Sequence, residues 1–223
     1  MPLTNKQTIQ ELALHYAPTL HMDRLEPFQL VRAGITVFET SAPSPSFNRN
    51  IVVDKEKIQM VIEYALYWDY DIQHVYDLEH VWIYIDHEGN IASCEASFHG
   101  RYLLGLLRDR SNLSEDQRVN LFVQPGKHAL SPLSELFRIL PNVESCCQED
   151  AGVDGVLENV LFSGQFKSGE NIDQLAEKYL RTFSFKPSFD YIPHEWNPEA
   201  FVTWGELRVE IPVRMRAILS ELS

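Results

Sequence analysis

Val81-Trp-Ile-Tyr-Ile-Asp86-His-Glu-Gly-Asn90-Ile91-Ala-Ser-Cys-Glu-Ala-Ser-Phe98 decides the fold, because it reads as two strands and the turn between them. Val81–Asp86 and Ile91–Phe98 carry the β-branched and aromatic residues that fit a pleated surface. In the His87–Asn90 connection, Gly89 supplies the positive φ that a tight hairpin demands. A hairpin brings the end of its second strand back to the start of its first, so His99 is expected to approach whatever precedes Val81.

What precedes it is Asp71-Ile-Gln-His74-Val-Tyr-Asp77-Leu-Glu79-His80, three acids and two imidazoles in ten residues. Successive side chains on a strand point to opposite faces, so Asp77 and Glu79 share one face and His80 turns to the other. His74 sits at the strand's mouth, from which an imidazole can bend toward the same point. Carboxylates beside a five-residue apolar run are at least partly desolvated, and buried like charges need a cation or a proton to compensate them. The bland alternative is a solvated acidic strand entry with surface histidines. Read as a metal site, the donor set is hard oxygen plus imidazole and suits a divalent cation, Mg, Ca, Mn or Zn.

Further outward, residues 59–70 are rich in Val, Ile, Tyr and Trp and predict a central strand feeding Asp71. Gln29–Glu39 is strand-like. Ser41-Ala-Pro-Ser-Pro-Ser46 is an extended loop, since its two prolines forbid helix, and it is placed to border the site. Leu121–Val123 is a further strand with Gly126-Lys127-His128 as its tight exit. Ile9, Leu12, Ala13 and Tyr16 recur at helical spacing over residues 5–16, ended by Pro18. A second helix is expected from Ser131 with Pro132 at its first position and Leu133, Leu136, Phe137 and Leu140 on its buried face. Asn171 and Gln174 suggest a capping box for a third helix. Ile211, Met215, Ile218, Leu219 and Leu222 mark a fourth, with Pro212 near its start. Strands in the middle and helices at the periphery argue for a mainly β protein, an antiparallel β-sandwich with peripheral helices, the alternative being an open α+β sheet.

The spacing His74-x-x-Asp77-x-Glu79-His80-Val81, preceded by Tyr64-Ala-Leu-Tyr-Trp-Asp-Tyr-Asp71, resembles the metal-site signature of the necrosis-inducing-protein superfamily, whose toxins carry a G-H-R-H-D-W-E heptapeptide. It looks closer still to the vacuolar-protein-sorting-associated relatives, with their D-W-E-H-V segment. Asn120-Leu-Phe-Val-Gln-Pro-Gly126-Lys-His128-Ala129 is similar to the strand ending in G-S-H-A of those relatives, and Tyr16-Ala-Pro-Thr-Leu20 to their Y-A-P-x-L start. The likeness runs from about residue 16 to residue 130. Leu78 stands where the tryptophan does, and the glycine and first histidine of the heptapeptide are absent, so the resemblance implies the metal more than the toxin activity. It implies the same sandwich, places Asp71, His74, Asp77 and Glu79 on the ligand positions, and turns Lys127 and His128 toward the metal.

At 223 residues and 44% hydrophobic content the chain can bury one core, and no stretch reads as a linker, so a single domain over residues 1–223 is expected. A net charge of −13 and the lack of a basic stripe disfavour nucleic acid and anionic bilayers as partners. No apolar run approaches the ~18 residues of a membrane span, so stable membrane insertion is not expected. Met1 to Glu11 shows no charged-then-apolar leader, and the three cysteines form no spaced disulfide framework, so a cytoplasmic location with reduced thiols is expected. Cys146 and Cys147 are adjacent but lack C-x-x-C spacing and a nearby histidine, and they read as two small packed side chains. Arg101 and Lys127, each close to a strand-end histidine, and His80 are candidate ligand-binding groups. Asp190-Tyr-Ile-Pro-His194-Glu-Trp196 reads as a packing loop.

Two functions remain open on sequence. One is metal-centred recognition of a small polar ligand or glycan, a sugar or a phosphorylated headgroup. The other is metal-dependent hydrolysis, with His99 or His128 as general base or acid. A purely structural ion would be fully ligated by protein.

Overall fold

The computed structural model describes residues 6–157, 160–166 and 169–222, with side chains from residue 9 onward. Along the chain run α1 (Lys6–Tyr16), β1 (Thr19–Asp23), β2 (Arg32–Phe38), β3 (Ala42–Pro43), β4 (Asn50–Ile51), β5 (Met60–Tyr70), β6 (His74–Ile85), β7 (Ile91–Phe98), β8 (Arg101–Leu104), β9 (Asn120–Val123) and β10 (Leu130–Ser131). They are followed by α2 (Glu135–Arg138), β11 (Gly155–Val156), α3 (Glu170–Leu180), β12 (Tyr191–Pro193), β13 (Phe201–Thr203) and α4 (Trp204–Leu222).

A large sheet is ordered β13-β2-β5-β6-β7-β8, with β11 added to the start of β6, and a smaller one is ordered β10-β9-β1-β12. One apolar core joins them: Leu20 and Met22 of β1, Leu121 and Val123 of β9 and Leu130 of β10 pack with Ile35, Ile62, Tyr64, Leu66, Trp68, Val81, Ile83 and Ala96. The protein is therefore mainly β and a sandwich, not an open sheet. The outer face of the large sheet carries a second core, in which Ala65, Tyr67 and Val75 meet Ala176 of α3 and Leu207, Ile211 and Met215 of α4.

The pairing is not antiparallel throughout. β1 with β9, β2 with β13 and β6 with β11 are parallel pairs. Each joins segments far apart in sequence, where no hairpin dictates the direction.

Several elements differ from the sequence expectation. The first helix runs Lys6–Tyr16, and Asn5 lies outside the described residues. The helix expected from Ser131 is one turn, Glu135–Arg138, with Phe137 as its buried residue. Ser131 belongs to β10, and its hydroxyl bonds the Leu133 backbone instead of capping. α3 begins after Gly169 with no side-chain cap, so Asn171 and Gln174 form no capping box there. α4 starts eight residues before Pro212, which sits buried inside it among the apolar residues that hold the helix on the sheet.

Candidate functional site

The site arises where β6 is longer than its neighbour. β5 and β6 pair continuously from Met60↔Ile85 to Trp68↔Asp77 and Tyr70↔Val75, but β7 accompanies β6 only from Ile85 back to Val81. β11 takes up the same edge at His74 and Val75. Between these two pairings the edge of Asp77–His80 is open, and it lines a cavity of about 890 Å³ together with Asp71, His74, His99, Gly100 and Lys127. The residues Ser44–Asn48 form the facing wall, and Leu157, Val160 and Leu161 give it an apolar lip. The proline-bearing loop thus borders the site, as its sequence position suggested.

Alternation puts Asp77 and Glu79 on the face of Val81 and Ile83, so the inter-sheet core ends in carboxylates, opposite Trp68 and Leu66. Each acid finds a partner. Asp71, 1% exposed at its side chain, accepts from Lys127 Nζ at 2.8 Å and from the Gln73 amide at 2.6 Å. Asp77 accepts from the Leu78 amide at 2.8 Å and pairs with His128 Nδ1 at 3.2 Å. Glu79 accepts from the Ser97 hydroxyl, which in turn accepts from the His80 amide at 2.6 Å. That hydroxyl substitutes for the ladder bond β7 no longer offers.

The electrostatics follow from burial. Desolvation, then the Asp77 charge, lifts the Glu79 carboxyl to about 8, so it holds its proton near neutrality. Burial would lower His128, but hydrogen bonding to Asp77 and the nearby Glu26 outweigh it and raise the imidazole to about 10. Burial raises Asp77 in the same way, and His128 more than reverses this. His128 Nε2 approaches Glu26 Oε1 at 3.5 Å without hydrogen-bond geometry, so Glu26 acts on it by charge.

His74 bears on whether a cation fits. Its Nδ1 lies 2.8 Å from the Tyr76 carbonyl and therefore carries a proton, which leaves Nε2 facing Asp71 Oδ2 at 3.5 Å. An imidazole lone pair and a carboxylate face each other there unless a proton or a cation lies between them. Among the described residues no group of three or more His, Cys, Asp or Glu side chains stands as a ready metal cage. Lys127 and His128 already offset Asp71 and Asp77, and Glu79 is neutralised by its own proton. His74, Asp77 and Glu79 are donors of the type a hard or borderline divalent ion takes, but they are not arranged as a group that could hold one.

The remaining sequence candidates separate. His99 lines the cavity, with Nε2 2.8 Å from Gln124 Oε1. His128 does not line it: wholly buried and stacked on Trp68 at 4.4 Å, it sits behind Asp77 as a counter-ion. Arg101 is exposed on β8 and outside the cavity, because the turn at His99 and Gly100 carries it past the mouth. His80, on the other face of β6, still reaches the cavity wall. Its Nε2 lies 3.0 Å from Ser46 Oγ, Ser46 donates to Glu63 at 2.7 Å, and burial keeps the ring neutral, at about 3. Asp190–Trp196 lies elsewhere, its Trp196 indole bonded to the Pro18 carbonyl. Glu26, Ser97 and Gln124 went unnoticed in the sequence, and Ser46 was read only as part of the bordering loop. Ser97, two residues before His99 on an already recognised strand, carried the one usable signal.

No family model matches the sequence. No curated protein matches it either. Among solved structures, NLPPya in complex with glucosamine aligns at 21% identity and a TM-score of 0.37, over 55% of this chain and 66% of that one. NLPPya in complex with mannosamine aligns at 17% and 0.39, over 79% and 90%. Necrosis and Ethylene inducing Protein 2 from the causal agent of cocoa's Witches Broom disease aligns at 18% and 0.34, over 54% and 66%. This chain thus spans about two thirds of the length of the first and third. At such values the likeness transfers neither ligand nor activity, and the sandwich described above stands on the chain's own strand pairing.

Proposed function

We propose that the chain recognises a small hydroxylated ligand, a sugar and above all an amine-bearing one, in the cavity at the open edge of β6. The observation that carries this reading is the lining: Asp71, Asp77 and Glu79 share one cavity with the imidazoles of His74, His80 and His99. The Asp71 and Asp77 carboxylates offer acceptors to an amine or to hydroxyl hydrogens, the protonated Glu79 offers a donor, and the imidazole nitrogens add further hydrogen-bonding positions.

A divalent cation is proposed alongside this reading. His74, Asp77 and Glu79, with Asp71 at the margin, would have to draw together to hold it, and it would then supply open positions to ligand oxygens. We also propose that the chain stands nearer the vacuolar-protein-sorting-associated relatives than the toxins, supported by His80-Val81 after Glu79 and by the absent glycine and first histidine of the heptapeptide. A cytoplasmic location suits three buried free thiols. Hydrolysis is the second reading, favoured only by His99 at the cavity wall, since His128 at about 10 is already protonated and is no general base.

The test is calorimetric titration with glucosamine and with Mg, Ca, Mn and Zn, before and after chelation, in wild type and Asp77→Asn. Saturable sugar binding that weakens at least tenfold in the variant is expected. Equal metal content in both proteins removes the cation, and an absence of sugar binding in either metal state removes the ligand class. Chelator-sensitive turnover of glycoside or ester substrates, lost in His99→Ala, would move the assignment to the enzyme.

A further inference from the structure

The adjacent thiols of Cys146 and Cys147 are a second constellation, which the cavity chemistry leaves unused. They sit in a 3-10 turn over Ser145–Cys147, 1% and 0% exposed, with their sulfurs 3.7 Å apart. Each sulfur also faces a carbonyl at 3.3 Å, Cys146 that of Val143 and Cys147 that of Pro125. Neighbouring residues are poorly suited to a disulfide. Their Cα atoms are ~3.8 Å apart, below the roughly 4.4 Å lower limit at which the bond is relaxed. The same pair is well suited to chelation. With a metal–thiolate bond of ~2.3 Å, a sulfur separation of 3.7 Å subtends about 107° at a bridging ion, close to the tetrahedral angle. Soft thiolates select thiophilic ions over the hard cations that carboxylates take.

We propose that Cys146 and Cys147 form a two-sulfur chelating site for a soft, thiophilic ion, separate from the carboxylate cavity. The hydrogen bond between the thiols prepares it. The contact with Cys147 holds the Cys146 thiol below its ordinary range, while that contact and burial push the Cys147 thiol up, so Cys146 is the readier nucleophile of the pair. The segment is tied by the turns Cys147 N to Glu144 O and Gln148 N to Ser145 O and, from farther along the chain, by Phe185 N to Cys147 O, so an ion reaches the sulfurs when this short stretch opens locally. The Cys147 sulfur packs on the Pro125-Gly126 turn that carries Lys127, so an occupant lies directly behind one wall of the cavity.

The probe is phenylarsine oxide added to the folded full-length chain. Both thiols give up their protons, two As–S bonds form, the arsenic oxygen leaves as water, and arsenic stays trivalent. One phenylarsenic group per native chain is expected by mass spectrometry, resistant to excess monothiol, released by a dithiol, and mapped by proteolysis to the peptide bearing Cys146 and Cys147. The adduct should persist in Cys94→Ser and vanish in Cys147→Ser. Uptake only after denaturation, or an adduct that maps to Cys94, overturns the proposal; peptide mapping on wild type decides the matter even if Cys147→Ser fails to fold.

Discussion

At the scale of single residues, the molecule concentrates its unusual protonation states on a few neighbouring positions, and this fixes how its stability depends on pH. His80 has its pKa lowered from 6.5 to about 3, so the folded chain binds fewer protons there than the unfolded one, and its contribution is lost as pH falls below 6.5. Glu79 is raised from 4.5 to about 8 and His128 from 6.5 to about 10, so their contributions are full at low pH and are lost as pH rises. Between 4.5 and 6.5 the slopes of His80 and Glu79 oppose each other. We expect urea unfolding in chelator to show a plateau there, with stability falling on both sides. Replacing Glu79 by Gln removes part of the alkaline-side fall, and an unchanged slope in that variant would contradict the burial argument. A divalent cation that draws the donors together would show itself by restoring stability above pH 8 in wild type.

At the scale of elements, the site depends on two devices that hold strand ends. One is the Ser97 hydroxyl, which serves both the His80 amide and the Glu79 carboxyl where β6 and β7 part. Ser97→Ala leaves both buried groups without that partner, and a loss of about 1–3 kcal/mol in unfolding free energy is expected. The other is the exit turn of β9. Gly126 has φ +71°, and a Cβ there would lie 2.7 Å from Ile72 Cγ2 and 2.9 Å from Cys147 Sγ. Gly126→Ala should cost more than ~1 kcal/mol and also weaken ligand binding, because the next residues are Lys127 and His128. Unchanged affinity in a folded Gly126→Ala protein would show that the turn's position is immaterial to the cavity.

At the scale of the whole molecule, the large sheet is a partition. One face packs on the small sheet and ends in the carboxylates, and the other is covered by α3 and α4. The helix layer is close: a Cβ on Gly34 of β2 would meet Leu207 Cδ2 at 2.8 Å. Leu207→Ala therefore opens a cavity at the helix–sheet contact, with an expected loss of 2–5 kcal/mol (about the usual range for a buried leucine) and little change in ligand affinity. Calorimetric affinity measured alongside chemical unfolding separates the two, and a parallel loss of binding would mean that α4 and the cavity are coupled through the sheet.

The same partition shows what could be read beforehand. The hairpin around Gly89, the central strand before Asp71 and the common face of Asp77 and Glu79 were legible in the sequence, because they depend on a period of two and on local turn chemistry that neighbours along the chain fully specify. The shared cavity of His99, His74 and the acids was foreseen from the hairpin for a similar reason. The three parallel pairings, the recruitment of Glu26 from β1's exit and the demotion of His128 to a buried counter-ion were not legible. Those depend on which side chains meet after residues a hundred positions apart are brought together, and on how much water is excluded when they do. Sequence set the identity and the face of the charged groups; burial and long-range contact alone decided which of them stay charged, which are neutralised by Lys127 and His128, and which remain open to a ligand.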